Sequence, residues 1–193
     1  MGLLGAKVCR GGVTHRYETV RNALDHVPED VTHIAVHDAA RPCTPVDLID
    51  RVFDAARRHG AAIPAVEVGD TLKRVIETDE PDHGDDDPAA AILGLTPKVG
   101  AKLRVVEKTV DRAGLVMVQT PQVFEAGLLR RAYEQTDLTS TDDAALIERM
   151  GERVAVVEGD VRNIKITRPG DIELARHIMG VRGPAERPVH KRF

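Results

Sequence analysis

The sequence predicts an α/β fold, a parallel or mixed sheet covered by helices. Three observations carry this. Short apolar runs, Thr32 to His37, Ala61 to Val66 and Arg153 to Glu158, recur between helical patterns. The hydrophobic fraction is 42%, yet aromatics are only 3% and Trp is absent, so the core is built from Ala, Val, Ile and Leu, as in strands covered on both faces. The polar residues that interrupt these runs fall at strand ends and helix starts, where open α/β sheets bind ligands. The length, 193 residues, suits one ordinary domain.

The elements follow in order. Cys9 to Gly12 reads as a turn. Arg16 to Val27 reads as a helix with Val20, Ala23, Leu24 and Val27 along one stripe. Pro28-Glu29-Asp30 breaks it, and the strand Thr32 to His37 follows. In the next helix, Thr44 is the expected N-cap and Pro45 the first helical residue, while Leu48, Val52, Phe53 and Ala56 form the buried stripe. Arg57, Arg58 and His59 match the helix dipole, and Gly60 ends the helix. Ala61 to Val66 is a buried strand interrupted at Pro64, and Gly69 to Val75 is a loop entering a strand.

Thr78 to Pro88 holds five Asp and one Glu and reads as an acidic loop without calcium-binding spacing. Leu103 to Thr109 and Leu115 to Thr120 read as a hairpin around Asp111 to Gly114. Pro121 to Phe124 is expected to lead into a helix from Glu125 to Gln135. Ser140 with Asp143 resembles a capping box opening another helix, which Gly151 stops. Asn163 to Thr167 alternates, Pro169 starts the last helix, and the basic tail from Gly183 is expected to be disordered.

Composition excludes several classes. A net charge of −4 offers no bulk attraction to nucleic acid or to an anionic membrane. Two cysteines and eight scattered histidines give no metal-type spacing. There is no apolar run of about 18 residues and no secretory leader pattern, so a soluble cytoplasmic protein is expected.

The stretch Ile34 to Pro42 concentrates the chemistry. An apolar strand ends abruptly in His37, Asp38 and Arg41, separated by two alanines. Asp38 suits a metal or a sugar hydroxyl, and Arg41 suits a phosphate held by bidentate bonds. An ion pair at a strand end, or a turn fixed by Asp and Pro, is equally consistent with the stretch. Asp38, Arg41, Lys73, Thr109, Thr141, Asp142 and Lys165 are the polar residues that break apolar elements. Cations, hydroxyls and a carboxylate gathered on one sheet edge suit a phosphorylated, sugar-like substrate with a magnesium nucleotide.

Val36 to Pro42, Asp70 to Lys73, Thr109 to Arg112, Thr120 to Phe124, Thr141 to Ala144 and Glu158 to Thr167 occur in that order. Upstream lies Gly11-Gly12 with Arg16-x-x-Thr19-Val20. Together these resemble the 2-C-methyl-D-erythritol 4-phosphate cytidylyltransferases. The resemblance implies a three-layer, Rossmann-like nucleotidyltransferase fold with a mixed, mostly parallel sheet and a protruding β-arm. It implies one domain over 1–182, an arm about 72–120, an acidic insertion over 78–101 and a tail over 183–193.

The implied reaction moves a cytidylyl group from CTP to methylerythritol phosphate, with Mg²⁺ carried by CTP. Asp38 and Arg41 would contact the substrate and ribose side. Gly12, Thr19 and Ala39 would line the cytidine pocket, with Asp38 beside them. Thr141 would contact methylerythritol phosphate, and Thr109 would reach the partner's site in a homodimer. Lys165 would stabilise charge on the α-phosphate. The family's opening strand and glycine-rich phosphate loop have no counterpart here, so the fold is expected to be N-terminally truncated and turnover low. Two alternatives stay open: a pentitol-phosphate cytidylyltransferase, and a non-catalytic remnant that dimerises or binds a sugar phosphate.

Overall fold

The computed structural model describes residues 5–81 and 102–181. In chain order the elements are α1 (Arg16–Leu24), β1 (His33–Val36), α2 (Val46–His59), β2 (Ala61–Glu67), β3 (Leu72–Pro81), β4 (Lys102–Val110), β5 (Val116–Val118), β6 (Gln122–Glu125), α3 (Ala126–Ala132), α4 (Ala144–Arg149), β7 (Ala155–Glu158) and α5 (Pro169–Ile178). The chain divides into two compact units. The larger comprises residues up to Val66 and from Met117 onward; the smaller is Glu67–Val116.

The larger unit is organised by one mixed sheet. Its strand order is β1-β6-β2-β5, with β7 also pairing β2. Strand β6 runs antiparallel to both β1 and β2, and β7 is parallel to β2. Thus β1, β2 and β7 share one direction and β6 opposes them. Alternation of side chains sorts the core onto two faces. Ile34, Ala61, Ile63 and Phe124 pack with Leu24 of α1, Leu128 and Leu129 of α3, and Leu146 and Ile147 of α4. Ala62 and Val123, one position out of phase, pack with Leu48, Val52, Ala55 and Ala56 of α2. Helices on both faces of one sheet make the three layers expected from the sequence. Full burial of Phe124, Leu48 and Leu129 anchors them, each contributing about 2–3 kcal/mol of transfer free energy.

Several local expectations change. Thr44 does not cap α2; Pro45 occupies the cap position without a side-chain bond. The Thr44 hydroxyl instead makes a tertiary contact, donating to Asn163 Oδ1 at 2.8 Å. Gly60 closes α2 as expected, at φ +82°, where a side chain would be strained. Ser140 is not a cap either. Asp143 holds that place in α4, its carboxylate committed to other partners, and Asp142 Oδ1 accepts from Ala145 N at 3.1 Å. Gln122 to Phe124, expected to lead into a helix, and Glu125, expected to begin it, form a strand inserted between β1 and β2, and the helix runs over Ala126–Ala132. Pro169 does open the last helix, where Asp171 accepts from the Thr167 and Arg168 amides.

The smaller unit is an antiparallel ribbon of β3 and β4, with Leu72 opposite Val110 and Lys73 opposite Thr109. The expected hairpin between Leu103–Thr109 and Leu115–Thr120 does not form. Strand β3 offers β4 a far longer ladder than the three residues of β5, which joins the other sheet. The turn between them is tightened by Asp111, which accepts from Ala113 N, and by Gly114 at φ +75°. Thr78 to Pro81 continues β3 rather than starting a loop. The rest of the acidic insertion, from 82 to 101, and the tail over 183–193 lie outside the described residues.

Candidate active site

Strand direction decides where the polar groups meet. Val36, the last residue of β1, pairs with Gln122, the first of antiparallel β6. The segment after β1 and the segment before β6 therefore share one sheet edge. Parallel pairing of Ala65 with Glu158 brings the segment after β7 to the end of β2. This is the carboxyl edge of β1, β2 and β7, and α/β sheets hold ligands at such edges. A cleft of about 310 Å³ opens there. Arg16, Asp38, Arg41, Thr141, Asp142 and Lys165 form its walls. Val118 to Thr120 and Gln122 complete the lining.

Asp38 is the meeting point of the charges. Its Oδ2 lies 3.1 Å from Lys165 Nζ and 3.4 Å from Arg41 Nε. Burial favours the neutral acid, but the Lys165 ammonium and then the Arg41 guanidinium outweigh it and hold the carboxyl below its ordinary range. Lys165 keeps a half-exposed side chain, so its ammonium can reach a ligand in the cleft. Arg41 is nearly covered and donates to the Asn163 carbonyl at 2.7 Å.

A buried amide network sets this geometry. Asn163, fully buried, donates to the Thr120 carbonyl at 2.9 Å and accepts from the Thr44 hydroxyl. Ile166 N donates to the Ala40 carbonyl at 2.8 Å. Together these bonds fix the segment carrying Lys165 to the turn carrying Asp38 and Arg41. Gln119 donates to the Asp160 carbonyl and accepts from its amide, so it closes the base of the same loop. Gly159 has no room for a side chain: an added Cβ would lie 2.7 Å from Gln119 Oε1 and 2.9 Å from the Ala65 backbone. Under β1, the Asp38 amide donates to Thr120 Oγ1 at 3.0 Å, and His37 Nδ1 lies 3.0 Å from that oxygen. The other ring nitrogen faces the Arg41 carbonyl, which can only accept, so Nε2 is the donor there, and in the neutral ring Nδ1 accepts a hydrogen bond from the Thr120 hydroxyl.

On the opposite wall, Gln122 is buried, donates to Asp142 Oδ2 at 2.8 Å and accepts from the Ala144 amide. This fixes the turn that presents Thr141. Arg16 donates from Nη2 to Asp143 Oδ2 at 2.6 Å. That bond to Asp143 raises the Arg16 pKa despite partial burial.

The cleft thus unites Asp38, Arg41, Thr141 and Lys165 from separate stretches of the chain. Gly12 lies before α1 and Thr19 within its first turn, where Thr19 Oγ1 accepts from Gly12 N at 2.8 Å, and neither lines the cleft. An added Cβ at Gly12 would meet Glu18 Cβ at 2.4 Å. Ala39 sits in the turn closed by Arg41 N on the Asp38 carbonyl. Thr109 belongs to the smaller unit, where it accepts from Lys73 Nζ at 2.7 Å. Arg16, Gln119, Gln122, Asp143 and Asn163 were not singled out as site residues by sequence reasoning. The available signal was an amide or acid inside an otherwise apolar or helix-opening segment, as at Gln122 and Asp143. No group of three or more His, Cys, Asp or Glu placed to hold a metal occurs among the described residues.

Comparison with known proteins places this architecture. The family model for 2-C-methyl-D-erythritol 4-phosphate cytidylyltransferase matches residues 2–86 and 82–181. The proteins of that name from Solibacter usitatus and Streptomyces coelicolor are 39% and 40% identical over 88% and 91% of this chain. The chain spans 61% and 58% of their lengths, about three fifths of the curated relatives it matches. The crystal structure of the Thermus thermophilus protein of that name superposes with a TM-score of 0.68 at 31% identity, covering 93% of this chain and 79% of that one. The strand order, the cleft and these matches agree: the chain belongs to the 2-C-methyl-D-erythritol 4-phosphate cytidylyltransferase family.

Proposed function

We propose that the cleft transfers a cytidylyl group from CTP to 2-C-methyl-D-erythritol 4-phosphate, releasing pyrophosphate. One observation supports this above others: Lys165, Arg41 and Asp38 converge on the ligand-binding edge of a chain from this family. An oxygen of the polyol phosphate attacks the α-phosphorus of CTP. The bond from that phosphorus to the bridging oxygen breaks, and pyrophosphate leaves with the electron pair. The Lys165 ammonium neutralises charge on the α-phosphate during this in-line displacement. Asp38 holds Lys165 aimed into the cleft, and contacts the ribose side with Arg41. Thr141 meets the polyol phosphate; Gly12, Thr19 and Ala39, which lie outside the cleft lining, are the residues that the family resemblance gives to the cytidine. Magnesium enters as part of the CTP substrate.

The same reading makes the protein a homodimer through the β3–β4 ribbon, with Thr109 contributing to the partner's site, and places it in the cytoplasm. Exposed Val75, Ile76 and Val106 on the ribbon support a partnered surface. Light scattering of the purified chain gives the dimer mass if this holds, and a monomer at micromolar concentration removes it.

Pyrophosphate release from CTP with Mg²⁺ tests the activity. It must depend on methylerythritol phosphate and fall at least about 100-fold in Lys165→Ala. Equal release from Lys165→Ala, or release without the polyol, overturns the assignment. Faster turnover with ribitol 5-phosphate would move the substrate to a pentitol phosphate. Binding of both substrates without turnover would leave the site a sugar-phosphate receptor.

A further inference from the structure

Asp143 is a fully buried acid that plays no part in the reaction just described. Its two oxygens are divided between two partners. Oδ2 accepts from Arg16 Nη2 at 2.6 Å, and Oδ1 accepts from the Tyr133 hydroxyl. Tyr133 is itself buried, next to the end of α3, and packs in the main core cluster. Burial and the adjacent Asp143 charge push the tyrosine pKa upward, so the hydroxyl stays a donor. The acid is thus held in one orientation from the core side. Arg16 approaches from the other side: it is the first residue of α1, 37% of its side chain is exposed, and it lines the cleft.

Of the five N–H donors on that guanidinium, the bond to Asp143 is its one side-chain hydrogen bond among the described residues. The remaining edge of the fork is available to a ligand. Arg41 differs: it spends donors on Asp38 and on the Asn163 carbonyl. A buried carboxylate is a poor source of stability, because desolvating the acid offsets much of the attraction to its partner.

We propose that Asp143, itself clamped by Tyr133, is a positioning residue that fixes Arg16 on the cleft wall as a directed donor to the phosphorylated substrate. The fixed guanidinium offers a phosphate two parallel N–H groups without first losing rotamer freedom, so the ordering cost of binding falls. The substrate part of this inference rests on the cytidylyl-transfer reading; the clamp itself does not.

The test separates the two. In ¹⁵N-arginine-labelled full chain, the Arg16 Nε–Hε signal, assigned through Arg16→Lys, should show a heteronuclear NOE close to backbone values, unlike exposed Arg57. Asp143→Asn should lower it toward that of Arg57, and Tyr133→Phe should lower it partway while the fold persists. By calorimetry, Asp143→Asn should weaken Mg²⁺–CTP or methylerythritol phosphate binding at least 5-fold, and combining it with Arg16→Lys should add less than 2-fold. An Arg16 signal unchanged in both Asp143→Asn and Tyr133→Phe overturns the clamp; if Asp143→Asn does not fold, Tyr133→Phe alone decides. Independent, additive losses of affinity overturn the link to ligand. Failure of the wild-type chain to bind either substrate removes the ligand part together with the cytidylyl-transfer reading, while the NMR signature still decides the clamp.

Discussion

Asp38 and Asp143 stand at the same cleft, and each is paired with arginine, but their surroundings differ in kind. Asp38 faces the cleft with 22% of its side chain exposed and shares two cations, one of them half in solvent. Asp143 lies behind the wall with 1% exposed and is closed off by Arg16 and Tyr133. A carboxylate in contact with water can lose a partner and be rehydrated. A carboxylate without access to water cannot. The first arrangement suits a group that must exchange its partners with a ligand, and the second suits one that holds a neighbour still.

Deleting partners exposes this difference most directly. Arg16→Ala leaves the Asp143 charge buried with Tyr133 alone and should cost about 3–5 kcal/mol of stability. Asp143→Ala should cost less, about 1–3 kcal/mol, because Arg16 can swing into solvent and only the Tyr133 hydroxyl is stranded. Urea denaturation of both variants checks the order; the reverse order would mean that water reaches Asp143. Gly159→Ala comes next. The new methyl must displace Gln119 or the Ala65 backbone, at about 1–3 kcal/mol. It should also loosen the segment carrying Lys165, lowering ligand affinity at the Asp38 side while leaving Arg16 order intact.

Lys165→Ala should change stability by less than about 1 kcal/mol, since the pair is half-exposed and Arg41 remains beside Asp38. A larger loss would make Lys165 a structural residue. The smallest effect concerns acid. The Asp38 carboxyl is lowered in the folded protein, so its contribution is present above the ordinary aspartate value, about 4, and is lost as pH falls below it. Solvent screening limits that contribution to about 1 kcal/mol or less. Comparing Asp38→Asn with the parent in acid titrations of stability should show the two curves converging below about pH 4.

Much of the site was legible as residue types. The abrupt switch from Ile34-Ala35-Val36 to His37, Asp38 and Arg41 marks a strand end, and strand ends in α/β sheets bind ligands. Lys165 carried no such local mark. Its neighbours alternate like an exposed strand, yet the segment forms no strand and is held by Asn163. Thr44 and Ser140 have the chemistry of caps, but a hydroxyl's competing partner, as at Thr44, comes from a distant segment and is invisible locally. Strand β6 escaped notice because four residues are too short to show a period and a helix follows at once.

The sequence by itself determined the layering, because the two-residue alternation of Ala61, Ala62 and Ile63 and the stripe on α2 leave only one way to bury both faces. It also supplied residue types at the strand ends, Asp38 and Arg41 among them, that suit a phosphorylated ligand. Only the tertiary structure decided which of those residues share a cleft. That depends on strand direction and register, which pair Val36 with Gln122 and Ala65 with Glu158, contacts between segments far apart in the chain that no local pattern encodes.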